Sequence, residues 1–303
     1  MKTLITRATA ALITTAIFSA GLLAEEKRSS SGLTARQVME QVEAQQLATT
    51  DSAFSRMRLT SCRFGLTEGQ VRCVEQPRVR QLESVQINTG PDNKDTKSLM
   101  VVLEPASERG VGMLSYAYDD TSKDNETWMY LSALNTVRRI TASNSDDDSE
   151  PASLFGSEFT TEDQETGKLD DYEFTLLDET TYQGRPVWVI QSIPTPERAR
   201  TSRYSKTDMW IDQERLVQLR VSTYDRRGDE YKRFQFANIE RMNDVWMARS
   251  ITVMNLTSSR LSNISIDAIT FGVDIEEEFL TQRALTDQVF RERHLNALRA
   301  QTQ

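Results

Sequence analysis

The side chains of this sequence that could do chemistry are mostly carboxylates. The chain of 303 residues has 45 Asp and Glu but only one histidine, His294, near its C-terminus. A histidine-based triad or metal cluster would need that histidine to reach the core. No G-x-S-x-G, H-E-x-x-H, P-loop or dinucleotide-binding motif occurs. We therefore predict a protein that is not an enzyme and uses no cofactor or metal, with a carboxylate-based hydrolase as the remaining enzymatic alternative.

An acidic run from Asp146 to Glu150 is the densest cluster of possible ion ligands. Clustered carboxylates attract calcium, but this run lacks the ligand spacing and the turn glycine of an EF-hand loop. We interpret it as a solvated loop. Whether it folds over a binding groove, or holds an ion, is left open by the sequence.

The two cysteines, Cys62 and Cys73, flank a turn-like segment, Leu66 to Gly69. A hairpin centred between Thr67 and Glu68 would place the cysteines directly opposite each other, at a separation that a disulfide can span. The sequence therefore predicts a structural disulfide and an oxidising compartment.

The N-terminus has the features of a secretory signal peptide. Lys2 and Arg7 precede an uncharged run ending in small residues, with a cleavage site near Ala24. An uncleaved membrane anchor is the alternative. We expect residues 1–24 to be removed and residues 25–32 to form a polar linker, leaving a soluble protein without a lipid anchor. Cleavage would change the formal net charge from −9 to −11, which makes nucleic acid and anionic membrane surfaces unsuitable partners.

The pattern changes from helix to strand after a short N-terminal segment. A capping box at Thr34 to Gln37 predicts a helix that continues to Leu47. Fourteen candidate strands follow between Ala53 and Phe271, separated by turn signals. We assign residues 33–285 to one β domain and residues 286–303 to a helical tail that either packs back or stays loose.

Several of these strands alternate between apolar and polar residues. Val217, Leu219 and Val221 share one face of a strand, for example, with polar residues between them. Alternation of this kind indicates an antiparallel sheet with one apolar face, and so many twisted strands must curl. The fold class is therefore mainly β, a strongly curved antiparallel sheet.

Four ordered motifs resemble those of the LolA-like outer membrane lipoprotein-sorting proteins. They are WMYLSALNTVRRI (Trp128 to Ile140), LFGSEFTTED (Leu154 to Asp163), EPASERGVGML (Glu104 to Leu114), and the Y-x-K, W-I-D and Y-D-x-x-G pattern of Tyr204 to Phe234. The resemblance extends from about Thr34 to Leu285. It implies an unclosed β barrel, with helices covering the concave face.

The same resemblance implies a periplasmic carrier of lipid or lipid-modified protein cargo. It also implies an inner-membrane transporter of the RND or MMPL type as a partner, and we expect the carrier to be a monomer. A periplasmic sensor or adaptor of the RseB type, which binds the periplasmic domain of a membrane protein, is the alternative. Departures from the family pattern at Ser132, Phe155, Glu158 and Thr161 bear on cargo preference more than on the fold.

A groove for an acyl chain would be lined by apolar residues of the strands and of the aromatic-glycine motif, with Gly156 allowing close approach. Ordinary core packing is the competing role for each of them. The candidates are Met129, Leu131, Phe155, Gly156, Phe159, Trp188, Ile190, Met209, Ile211, Leu219 and Val253.

Overall fold

The structure is a computed structural model that describes residues 27–47, 51–120, 122–140, 153–164 and 168–301. The predicted signal peptide and the acidic run from Asp146 to Glu150 lie outside the described residues.

The first helix, α1 (Ala35–Leu47), begins where the capping box predicts. The backbone N–H of Gln37 donates to Thr34 Oγ1 at 3.2 Å, and the Thr34 N–H donates to Gln37 Oε1 at 3.0 Å. These two bonds satisfy N–H groups that a helix start leaves without partners. Val38 and Val42 are buried on one side of the helix, which lies on the sheet.

Fourteen strands form one antiparallel sheet, as the sequence predicted. They are β1 (Ser52–Thr67), β2 (Gln70–Cys73), β3 (Arg78–Thr89), β4 (Asp95–Glu104), β5 (Gly112–Ala117), β6 (Glu126–Leu131), β7 (Thr136–Ile140), β8 (Tyr172–Tyr182), β9 (Arg185–Pro194), β10 (Lys206–Asp212), β11 (Gln218–Tyr224), β12 (Glu230–Met242), β13 (Val245–Asn255) and β14 (Arg260–Phe271). Their order is 7-6-5-4-3-1-14-13-12-11-10-9-8, with β2 paired only to β1. The edges β7 and β8 do not pair, so the barrel is unclosed and the predicted fold class is confirmed.

One pairing joins the two ends of the domain. Most neighbours in the sheet are also neighbours in sequence, but β1 pairs with β14, from Ala53 opposite Phe271 to Arg63 opposite Arg260. This contact turns two meanders into a single sheet.

The sheet has apolar side chains on both faces. On β3, Leu82 points to the inner, concave face and Val85 points to the outer face, because successive strand residues alternate. The inner cluster joins residues of α1 to residues of strands along the whole sheet. The outer cluster is confined to β1 and β3–β7 together with the C-terminal part of the chain.

Two C-terminal helices cover this outer cluster. They are α3 (Gln282–Thr286) and α4 (Gln288–Gln301), and Leu285, Leu295 and Leu298 are buried under them. The predicted tail therefore packs back, on the face opposite to α1. The C-terminal helices thus cover the outer face of the β3–β6 half of the sheet.

The predicted disulfide is present, although the predicted register is wrong. Cys73 lies opposite Phe64, and the bridge reaches diagonally to Cys62 across a Cα separation of 5.7 Å. The turn is centred one residue later, on Glu68 and Gly69, which both have positive φ. Two-residue hairpin loops of type I′ need positive φ at both positions, so Gly69 fixes the turn.

We expect the outer layer to contribute much of the stability. Replacing Leu295, which is 1% exposed, by alanine should lower the free energy of unfolding by about 2–5 kcal/mol, because it leaves a cavity under α4. The matched control is Val289→Ala on the same helix, where the side chain is 72% exposed. Urea unfolding of both variants measures the difference, and equal losses would contradict the packing of α4.

Candidate functional site

Most of the predicted groove residues meet on the inner face. Seven of the eleven belong to its buried cluster, and Met129 packs against that cluster partly buried. The seven are Phe155, Phe159, Trp188, Ile190, Met209, Ile211 and Val253. The burial of these seven residues agrees with packing in the hydrophobic core and equally with lining a site for cargo.

Two predicted groove residues lie elsewhere. Leu219 is buried but sits at a β-bulge, where the pairing steps from Trp210 opposite Arg220 to Ile211 opposite Gln218. Leu131 ends β6 half-buried. Neither is part of the inner cluster. A bulge of this kind cannot be foreseen from alternation, which assigned Leu219 to the apolar face.

The aromatic-glycine motif forms a segment that we call the strap, residues 153–164. The strap joins no strand of the sheet. It closes on itself through the Leu154 N–H, which donates to the Phe159 carbonyl at 2.7 Å. Leu154, Phe155 and Phe159 are buried in the inner cluster.

The backbone conformation of Gly156 gives one reason for glycine at this position. A Cβ atom there would have no protein atom of the described residues within 4 Å, so packing within the chain does not require glycine, and the close approach of cargo stays a prediction. The φ of +71° at Gly156 follows a φ of +50° at Phe155. Two successive left-handed residues reverse the strap, and glycine adopts that conformation without strain.

A buried ion pair fixes the C-terminal end of the strap. Lys232 Nζ on β12 donates to Asp163 Oδ2 at 2.6 Å, and both side chains are 1% exposed. The Tyr204 hydroxyl donates to Asp163 Oδ1 at 2.5 Å. Burial, followed by the nearby Asp163 charge, holds the pKa of Tyr204 well above its ordinary value. The carboxylate of Asp163 is therefore balanced by one cation and by neutral donors, which are the Tyr204 hydroxyl and the N–H and hydroxyl of Thr160.

Glu162 anchors the strap to the loop that precedes β10. Its carboxylate accepts hydrogen bonds from Ser202 Oγ at 2.6 Å and from the Arg203 N–H at 3.1 Å, with Arg198 at 3.8 Å. Burial raises the pKa of Glu162 above its ordinary 4.5, and these donors act in the opposite direction. Burial is the larger cause because it penalises the charged form.

Glu158 anchors the middle of the strap to the turn between β13 and β14. Arg260 Nε and Asn255 Nδ2 donate to its carboxylate at 3.0 and 2.9 Å. Its backbone N–H donates to Ser262 Oγ at 3.0 Å. Arg260 also lies 4.0 Å from Glu75, which follows the disulfide hairpin.

The sequence did not lead us to predict this polar network, although the motifs described above contain several of its residues. Glu162 and Asp163 end one motif of the resemblance, while Tyr204 and Lys232 lie in another. In the sequence, Tyr204 is 41 residues from Asp163 and Lys232 is 69 residues from it. The available signal in the sequence was that one motif ends in two acidic residues, while the other contains a lysine with which they can pair.

A charged cleft opens beside α1. Its volume is about 300 Å³, and it is lined by Arg36, Glu40, Glu43, Lys94, Asp119, Lys168, Leu169 and Asp170. Behind it, side chains of α1 and the strap fill the inner face. An apolar ligand would therefore have to displace α1, the strap or both.

The single histidine lies away from the inner face. His294 lies on α4 and stacks on Phe279 of the outer cluster, with ring centres 4.7 Å apart. In the ranges that the structure describes, no group of three or more His, Cys, Asp and Glu residues is placed to hold a metal ion. No helix in those ranges is both long enough and apolar enough to cross a bilayer.

Comparison with known proteins identifies relatives of the fold. A family described as uncharacterized protein-like matches residues 94–287. No curated protein matches the sequence. A DUF1329 family protein from Desulfovibrio piger superposes with a TM-score of 0.72 at 23% identity, covering 83% of this chain and 97% of its own.

Two further solved structures agree. One from Vibrio parahaemolyticus, described as an outer membrane lipoprotein-sorting protein domain, gives a TM-score of 0.69 at 21% identity, covering 83% of this chain and 98% of its own. A LolA superfamily protein from Nitrosomonas europaea gives 0.57 at 16% identity, with coverages of 82% and 98%. The recognised fold is thereby confirmed.

Removing the buried cation should loosen the strap. We expect Lys232→Met to lower the free energy of unfolding by about 3–5 kcal/mol, because Asp163 then stays buried without its cation. Arg227→Met is the control, since Arg227 is 78% exposed and its pair with Asp225 is solvated. Urea unfolding compares the two, and a similar midpoint for both variants would contradict the role of the pair.

Glu162 should make stability depend on pH. A raised pKa means that the folded protein binds this proton more tightly than the unfolded chain, so the stabilisation is full below about 4.5 and is lost as the pH rises through the folded value. Glu162→Gln should therefore lose less stability between about pH 4 and pH 8 than the unchanged protein. Urea unfolding at both pH values tests this, and parallel pH profiles would refute it.

Proposed function

This chain belongs to the uncharacterized protein-like family whose model matches residues 94–287, and we propose that it is a periplasmic carrier for lipid or lipid-modified protein cargo. Its fold is that of the LolA superfamily. Transfer towards the outer membrane, and not catalysis, is the activity that this arrangement supports best.

One observation carries the proposal: the apolar inner face is covered by segments that are not strands of the sheet. Neither α1 nor the strap pairs with a strand; both lie on the sheet through side chains. An acyl chain can take the place of those side chains without breaking the strand ladder. Each methylene removed from water contributes about 0.8 kcal/mol, so one chain can offset the displaced contacts.

The strap is the part best suited to move. Phe155 and Phe159 give it an apolar side, while Arg260 holds its middle at Glu158 and Lys232 holds its C-terminal end at Asp163. Lifting the strap uncovers the inner face between β12 and β14. Its return expels the cargo, which then passes to a more apolar acceptor.

The predicted signal peptide, residues 1–24, supports a periplasmic location. The Vibrio parahaemolyticus neighbour is described as a lipoprotein-sorting domain, which supports the cargo class. An RND or MMPL-type transporter as donor rests on the resemblance of the sequence motifs. The eleven groove candidates belong to this proposal as well, with Leu219 and Leu131 at its margin.

We expect the gently purified protein to release bound lipid on organic extraction, and the emptied protein to take up a fluorescent fatty acid. Native mass spectrometry measures the stoichiometry of the first. Arg260→Gln should speed uptake, because it removes one of the contacts that hold Glu158 in the middle of the strap. Arg241→Gln is the control, since Arg241 lies 59% exposed near the β12–β13 turn and pairs with Asp244.

A protein without extractable lipid that also takes up no fatty acid would refute carriage. That result would favour the adaptor alternative, in which the fold binds the periplasmic domain of a membrane protein. Uptake at equal rates in both variants would leave carriage standing but remove the strap as its gate.

A further inference from the structure

The inner cluster contains one polar group that its surroundings do not satisfy. Trp188 lies on β9 with 5% of its surface exposed, and its Nε1 is buried with no hydrogen-bond acceptor among the described residues. An indole N–H can only donate. A buried tryptophan usually finds a partner for it, because an unpaired donor loses its bonds to water without replacement.

The neighbours of Trp188 explain why no acceptor is offered. On β10 it lies opposite Ile211, and the next inward pair on these strands is Ile190 with Met209. On β8 it lies opposite Glu179, whose carboxylate accepts hydrogen bonds from Ser30 and Gln213 instead. The Trp188 N–H is thus a donor without an acceptor at one end of a row of apolar side chains, Ile211, Ile190 and Met209, which we call the apolar track.

The track leads from this donor towards the strap. Ile190 and Met209 form the next inward-facing pair on β9 and β10. This pair lies two residues from the pair of Trp188 and Ile211, towards the start of β10. Tyr204, just before β10, holds Asp163 of the strap. A molecule with a hydrogen-bond acceptor at one end and a hydrocarbon chain at the other matches this sequence of groups.

We propose that the Trp188 indole N–H is the anchor for a carbonyl oxygen of the cargo, so that the site selects acyl lipids, with an ester or amide carbonyl, over alkyl lipids without one. This inference rests on the proposed carrier function and specifies its ligand. The hydrocarbon runs over Ile190 and Met209 once the covering side chains move. A site that offers a hydrogen bond discriminates against a ligand that cannot accept it, because the donor then stays unpaired.

The test changes one group on each side of the contact. The ligands are 1-palmitoylglycerol and 1-O-hexadecylglycerol, which share chain length and glycerol headgroup but differ in the carbonyl. The proteins are the unchanged chain, Trp188→Phe, and the control Trp210→Phe, in which the replaced ring is half-buried and stacks on Arg220. Displacement of a fluorescent fatty acid gives each affinity, and the two-by-two comparison isolates the contact.

We expect the unchanged protein and Trp210→Phe to bind the acyl compound about tenfold more tightly than the alkyl compound, as one buried hydrogen bond allows. Trp188→Phe should bind both compounds within about twofold of each other. Benzothienylalanine at position 188 keeps the bicyclic shape without the N–H, and it should behave like Trp188→Phe. This second variant answers the question if phenylalanine at this position impairs folding.

Equal affinity of the unchanged protein for both compounds, or a preference that survives both changes at position 188, would overturn the assignment of Trp188 while carriage stands. Failure of the unchanged protein to bind either compound, or the fluorescent fatty acid itself, would overturn the carrier function and this inference together.

Discussion

The ion pair between Lys232 and Asp163 decides how the inner face is covered. Both side chains are almost fully removed from water, so the pair is costly unless its geometry is kept. Its short distance and the added Tyr204 hydroxyl keep it in place. Because Asp163 ends the strap, this contact holds Phe159 and Phe155 against the sheet. The apolar contacts of the strap therefore depend on a polar one.

A core and a cargo site need the same side chains in this fold. The inner cluster is continuous from α1 to the strap, and the described cleft beside α1 is lined mostly by charged residues. Cargo and covering elements therefore compete for one surface. The outer layer differs, because α3 and α4 pack over the β3–β7 half, and among the described residues the outer cluster does not extend to β8–β13.

Much of the architecture follows from local sequence signals. The capping box at Thr34 gave the start of α1, and alternation gave fourteen strands, because these signals act over a few residues. The predicted hairpin turn was centred one residue too early, because Gly69 and not the cysteines sets the turn, and Cys73 therefore lies opposite Phe64 instead of Cys62. The helical tail was predicted, but its position on the outer face was left open, and the strap network was missed, because both depend on contacts such as Lys232 with Asp163, 69 residues apart. Periodicity carries no information at that range.

The pairing of β1 with β14 has a consequence for the order of folding. Ser61 and Ser262 touch across this pair although 201 residues separate them. At the usual rate of synthesis, one edge of β1 then waits roughly 10–40 s for its partner. The disulfide hairpin, with a sequence separation of 11, can close long before. Long-range pairing of this kind slows folding and leaves apolar strands uncovered meanwhile. The sheet can therefore be completed only after β14, the last strand in the sequence, has been made.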